Sequence, residues 1–250
     1  MSRLHLKTEQ HDFQHQLIHY LKPVINQGYV AGNLSGFLNG ELDAGAWREF
    51  QSAWQDLVPD LYMGDGGHYR LRRYSVFDLK AGGDVVSINP DQRHYQALDY
   101  NPLNGGIYRE YPPFSSNFLS NPIFLGVLDF ARMLVQEASP EKKNWRIEGH
   151  QFRIVATEGE VGKPTPEGIH KDGTDFVFIA MVNRELVKGG VSKIYSEQGK
   201  VLMQTKLRSP LDFVLVNDRR LLHYVTAIKP LNTQLEGHRD VLVLTFRATE

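Results

Sequence analysis

His170, Asp172 and His223 are the residues of this 250-residue chain whose types and spacing suit a metal ion. Residues two apart on a strand point to the same side, so the His170 imidazole and the Asp172 carboxylate can reach one ion together. The same spacing recurs at His238-Arg239-Asp240, so the pair alone says little. A later histidine distinguishes the first pair, because two His and one carboxylate occupy three positions of an octahedron and leave three open, the arrangement of non-haem Fe(II) oxygenases. His223 lies in the β-rich run Leu221 to Ile228, behind the Asn217-Asp218 turn, where a strand can hold it. His238 is the competitor. It follows the polar stretch Asn232 to Gly237 and is expected to be exposed.

Arg239 stands at the start of an apolar run, Val241 to Phe246. A guanidinium turned into the interior there needs a fixed anion, and the distal carboxylate of 2-oxoglutarate would supply one. The competing reading is a surface arginine paired with Asp240. On the run Gly149 to Ala156, Gln151 and Arg153 share one face while His150, Phe152 and Ile154 share the other. We expect the polar pair to line a site, against the alternative of a solvated sheet face. Arg70, Arg72, Arg73 and Tyr74 form a basic and aromatic cluster able to grip a carboxylate, with a solvated edge as the alternative. His68, His94 and the N-terminal histidines show no ligand spacing and read as ordinary residues.

These side chains need a scaffold, and composition says which kinds are available. With 41% hydrophobic and 23% charged residues the chain is an ordinary globular domain, read here as one domain over 1–250. A net charge of −1 removes the footprint of a nucleic-acid binder. The absence of cysteine excludes disulfides, thiolate metal sites and a Cys nucleophile, so a metal must be held by His, carboxylate or backbone oxygen. Met1 to Gln16 lacks an apolar leader core and no segment approaches a membrane span, so a cytoplasmic location is expected.

Two helical stripes mark residues 1–60: Phe13, Leu17, Leu21, Val24 and Ile25 up to Gly28, and Trp47, Phe50, Trp54, Leu57 and Val58 up to Pro59. A third helix opens after Asn121 with Pro122 at its first position and ends near Ser139-Pro140. From Trp145 onward, short β-rich runs alternate with turn signals, the texture of a sandwich or barrel over 145–250. Tyr69 to Phe77, Asp84 to Ile88 and Gly106 to Tyr111 are expected to extend its sheets. The fold class is therefore mainly β with flanking helices: a double-stranded β-helix, or cupin-like jelly roll.

Gly149-His150-Gln151-Phe152-Arg153, His170-Lys171-Asp172, Gly189-Gly190, His223-Tyr224-Val225-Thr226 and Arg239 to Phe246 together resemble the bacterial 2-oxoglutarate- and Fe(II)-dependent dioxygenases that include L-isoleucine hydroxylase, among them a branch associated with biofilm and stress. Arg70 to Ser75, Gly105 to Arg109 and Asn121-Pro122 extend the likeness over about residues 65 to 248. The resemblance implies Fe(II) with 2-oxoglutarate and O2 as cosubstrates, His170, Asp172 and His223 as iron ligands, Arg239 as the 2-oxoglutarate anchor, and Gln151 and Arg153 as active-site lining; Arg72 and Tyr74, from the basic and aromatic cluster, are expected to line the site with them. Where many relatives place Ser or Thr two residues after the arginine this chain has Val241, which leaves Thr226 or a tyrosine to supply the hydroxyl. The expected reaction is hydroxylation of an aliphatic carbon of a small substrate, a free L-amino acid or a derivative. A cupin-like metal enzyme without 2-oxoglutarate and a non-catalytic jelly-roll module are the alternatives.

Overall fold

The computed structural model describes residues 17–38, 43–84, 86–232 and 234–249. The first stripe forms helix α1 over residues 17–27, stopped by Gly28 at φ 87°; Phe13 lies outside the described residues. Strand β1 (Tyr29–Asn33) follows, then α2 (Ala44–Ser52), capped by the Asp43 carboxylate, which accepts the N–H groups of Gly45 and Ala46. The second stripe does not stay helical to Pro59. Val58 precedes a proline, which disfavours helical backbone, and Val58–Pro59 form β2 on a sheet edge, where a missing N–H is tolerated. The N-terminal segment expected to be helical thus contributes strands as well as helices.

Next come β3 (Arg70–Leu79), β4 (Val86–Ile88), β5 (His94–Tyr95), β6 (Tyr108–Arg109) and α3 (Ser116–Leu119). Helix α4 (Pro122–Ala138) has the expected bounds: the Asn121 side chain accepts the Ile123 N–H, and Pro140 follows the Ser139 cap. The remaining strands are β7 (Asn144–Ala156), β8 (Phe176–Glu185), β9 (Val187–Gly189), β10 (Ser192–Tyr195), β11 (Val201–Thr205), β12 (Asp212–Asn217), β13 (Leu222–Val225), β14 (Ile228–Pro230) and β15 (Gly237–Thr249). Two expected runs shorten or split. Only Tyr108–Arg109 of the Gly106 to Tyr111 segment is a strand, and Leu221 to Ile228 divides where Thr226 bonds to Val191, sending β13 and β14 into different sheets.

The main antiparallel sheet runs β1-β12-β8-β15-β7-β3-β2, with β4 on β3. The smaller sheet β11-β10-β13 and the ribbons β9-β14 and β5-β6 complete a jelly roll. The two-residue alternation sorts the main sheet into two faces. Leu242, Leu244 and Phe246 pack with Val127, Phe130 and Leu134 of α4. Val241, with Val177, Ile179 and Met181 of β8, turns instead toward Ile194 and Leu207. The helices therefore cover one face of the main sheet, and the other forms a wall of the jelly-roll interior.

Candidate active site

A cavity opens on that interior, lined by side chains of β3, β5, β6, β7, β8, β13 and β15 and of the loops before β8. His170, Asp172 and His223 meet in it. His170 and His223 form an isolated antiparallel bridge, each backbone N–H donating to the other's carbonyl, and their ring centroids lie 4.3 Å apart. Asp172 is not on a strand, contrary to the expected geometry. It sits in the loop leading to β8, where Gln96 Nε2 donates to its Oδ1 at 3.2 Å. Asp172 Oδ1 lies 3.4 Å from His170 Nε2 and its Oδ2 lies 3.5 Å from His223 Nε2, so three ligand atoms converge. The carbonyl of Gly168 faces His170 Nδ1 at 2.9 Å, which leaves Nε2 for an ion. Burial works against charge on Asp172, but the two imidazoles outweigh it and hold its carboxyl well below the usual range. Glu167 Oε1 is 3.1 Å from His170 Nε2, a neighbour the sequence did not announce.

Arg239 marks one end of the cavity. It is buried, and its Nε and Nη2 have no hydrogen-bond partner. Burial and the facing Arg184 push its pKa down to about 10. Arg184 is itself held by the carbonyls of Val187, Gly189 and Leu207. Asp240 does not serve Arg239: both of its carboxylate oxygens accept from Arg153, at 2.8 and 2.7 Å. An unpaired guanidinium in a dry site is what a carboxylate ligand would complete.

The second basic group comes from β3 and β6. Asp60 receives Arg70 at 2.7 Å and Arg72 at 3.4 Å. Burial raises the Asp60 pKa, and the two guanidiniums more than reverse it. Arg72 lies against Tyr111 and Phe152 and donates from Nη2 to His150 Nδ1 at 2.6 Å. Burial, Arg72 and His94 depress the His150 pKa well below its usual value. His94, 2.9 Å from Glu148 Oε2 through Nδ1, is lowered to about 4, chiefly by burial. The ligand atoms of His94, Glu148 and His150 also lie within 4.8 Å of one another. The Arg72 cation bound directly to His150 makes that cluster a poor place for a metal ion.

The other expected site residues distribute unevenly. Arg72 lines the cavity. Tyr74 is buried just behind it, its ring beside those of His94 and His150. Gln151 and Arg153 point to the opposite side of β7, and the strand offers Glu148, His150, Phe152 and Ile154 to the cavity instead. Thr226 is outside the lining, its hydroxyl accepting the Val191 N–H; Thr165 lies in the lining and bonds the backbone of Val225. Arg73 reaches carbonyls of Asp56 and Pro113. His238 is half-buried beside Asp240 and Asn183, away from the cluster. Sequence reasoning missed His94 and Arg109, which come from two-residue strands without a readable period.

The jelly roll, the His-Asp-His cluster and the unpaired arginine define a class that similarity to known proteins identifies. The 2OG-Fe dioxygenase family model matches residues 51–245, and the chain belongs to that family of Fe(II)- and 2-oxoglutarate-dependent oxygenases. It is 25% identical over 255 residues to L-isoleucine-4-hydroxylase of Bacillus thuringiensis, covering 100% of this chain and 98% of the relative. It is 28% identical over 208 residues to 3(1)-hydroxy-L-isoleucine 4-dioxygenase of Pantoea ananatis, covering 81% of each. The crystal structure of a bsmA homolog from Methylobium petroleophilum PM1 superposes with a TM-score of 0.81 at 32% identity, covering 92% of both chains.

Proposed function

We propose that the chain hydroxylates an aliphatic carbon of a small L-amino acid or a close derivative, with His170, Asp172 and His223 holding the iron and Arg239 pairing the distal carboxylate of 2-oxoglutarate. The observation that carries this reading is the coexistence, in one cavity, of the His-Asp-His cluster and a buried arginine lacking an anion. When bound, Fe(II) with 2-oxoglutarate and O2 supplies the oxidising power, 2-oxoglutarate leaving as succinate and CO2. The chain's own residues position and shield. The Gly168 carbonyl sets the tautomer of His170, and the Asp218 carboxylate, through backbone N–H groups, fixes the loop that carries Asp172. Val177, Ile179, Val241 and Val243 give the cavity dry walls against which an aliphatic side chain packs.

The amino-acid substrate rests on the activities for which the two relatives are named, since sites diverge on a kept fold. A cupin-like enzyme without 2-oxoglutarate would have no use for an unpaired Arg239. We place the reaction in the cytoplasm, where 2-oxoglutarate and reduced iron are available, and take residues 1–250 as one catalytic unit because the main sheet draws strands from Tyr29 through Thr249. The test is incubation of the enzyme with Fe(II), ascorbate, 2-oxoglutarate and a panel of free L-amino acids. One of them should gain a single oxygen in step with succinate release. His223→Ala should abolish both product and tight metal binding, and His238→Ala should preserve both. Modification of a peptide, lipid or nucleoside instead would remove the amino-acid reading.

A further inference from the structure

Arg109 is almost fully buried at 2% exposure, lines the cavity, and has no hydrogen-bond partner at Nε or Nη2. Its position follows from the β5-β6 ribbon, where it stands directly opposite His94. Opposed residues of an antiparallel pair project to the same face, so both side chains enter the cavity, while Tyr95 and Tyr108 are exposed with their rings 5.0 Å apart and Tyr95 lines the cavity's rim. Arg72, across from them on β3, also has an unpartnered Nε. Charges here do not balance. Three guanidiniums, Arg70, Arg72 and Arg109, meet one free-standing carboxylate, Asp60, because Glu148 is taken up by His94 and Arg146. His94 is neutral near pH 7, and the Arg109 charge helps to keep both it and His150 that way.

A buried guanidinium without an anion is unfavourable unless a ligand supplies one. 2-Oxoglutarate has one distal carboxylate once its other end is at the metal, and Arg239 stands ready for it. Arg239 stands on β15 and Arg72 on β3, with β7 between them, and Arg109 stands opposite His94 on the β5-β6 ribbon, so the two basic groups occupy different sides of the cavity. The anion for the second end must come from another molecule.

We propose that Arg109, with Arg72 beside it, is a second anion subsite that clamps the free carboxylate of the substrate, so that the enzyme takes an unblocked amino acid and rejects its amide or a peptide in which that carboxylate is bonded. The inference rests on the proposed amino-acid hydroxylation and adds the group that reads the substrate. An arginine fork matches a carboxylate bidentately, and a neutral amide in its place leaves the cation buried and unpaired.

The test uses protein loaded with Mn(II) and 2-oxoglutarate, in which binding is read without turnover, titrated with L-isoleucine and with L-isoleucinamide. Wild type should bind the acid and discriminate strongly against the amide. Arg109→Ala should bind the acid roughly thirtyfold or more weakly and lose the discrimination, with 2-oxoglutarate affinity unchanged. Its melting temperature should hold or rise, because a buried unpaired charge has been removed. A lower melting temperature with acid affinity retained would make Arg109 structural and overturn the proposal. A loss of 2-oxoglutarate affinity would assign it to the cosubstrate and overturn it equally. If the alanine variant does not fold, Arg109→Lys carries the test, keeping charge without the fork and giving an intermediate loss of acid binding. If wild type binds no free amino acid, the amino-acid reading fails by itself. Short aliphatic monocarboxylates then replace the amino acid: binding that Arg109→Ala abolishes sustains the subsite, and absence of any carboxylate binding overturns it.

Discussion

Asp218 holds Asp172 in place through the backbone: Asp218 Oδ1 accepts the Asp172 N–H at 3.1 Å, and its Oδ2 accepts the N–H groups of Gly173 at 2.8 Å and Thr174 at 3.0 Å. The same carboxylate lies 3.5 Å from His223 Nδ1. One buried side chain thus ties the loop bearing Asp172 to the strand bearing His223. Asp218→Ala strips three N–H groups of their acceptor, each worth about 1 to 3 kcal/mol when buried. We expect a lower melting temperature and metal affinity reduced about ten- to hundredfold, as for other supports of metal ligands, with the 2-oxoglutarate affinity of whatever fraction is metal-loaded unchanged. Metal titration of the variant against wild type checks this, and equal affinities would show that the loop holds itself.

The Arg239 end should respond independently. Arg239→Ala is expected to weaken 2-oxoglutarate by about 2 to 5 kcal/mol while Mn(II) affinity changes little. Gly190 makes the room for that arginine: it adopts φ 68°, and a Cβ there would come 3.3 Å from Arg239 Cδ and 3.1 Å from Ile228 Cγ2. Gly190→Ala should therefore reproduce part of the 2-oxoglutarate loss without touching the anion directly. Gly189→Ala is a contrasting control, because its Cβ would meet the Ala227 carbonyl oxygen at 2.1 Å and must destabilise the fold. Anaerobic titration with 2-oxoglutarate, together with melting curves, separates the two effects.

The sequence was most readable where local chemistry is strong. Asn121-Pro122 and Ser139-Pro140 bracket α4, and strand alternation sorted Gly149 to Ala156 into its two faces. It did not say which face looks inward. Both faces of β7 are covered, one by helices and one by the jelly-roll interior, so Gln151 and Arg153 carried no mark of pointing away from the cavity. Asp172 reaches the two histidines from a loop because Asp218 clamps that loop, a long-range contact that spacing cannot express. His94 and Arg109 pair across a ribbon of two residues each, too short for any period to register.

Acid should unfold the protein through His94 and Glu148 in two separable windows. His94 is lowered to about 4, because burial, with Arg72 and Arg109 nearby, outweighs its bond to Glu148. Below its unfolded value of 6.5 the unfolded chain binds a proton that the folded chain refuses, so stability is present above about pH 6.5 and is lost as pH falls toward 4. A shift of this size corresponds to about 3 kcal/mol at the end of the window. Glu148 has the same sign at lower pH. Burial alone would raise it, but His94 and Arg146 bring it down to about 2, so its contribution is present above the unfolded value of 4.5 and disappears as pH falls toward 2. His94→Gln, whose amide can still donate to Glu148, removes the first window and leaves the second. Melting temperature followed from pH 7 to pH 4.5 should therefore fall less steeply in His94→Gln than in wild type, by up to about 1.4 kcal/mol per pH unit in stability. Parallel curves would mean that His94 is charged in the folded protein and that the pocket tolerates the added cation.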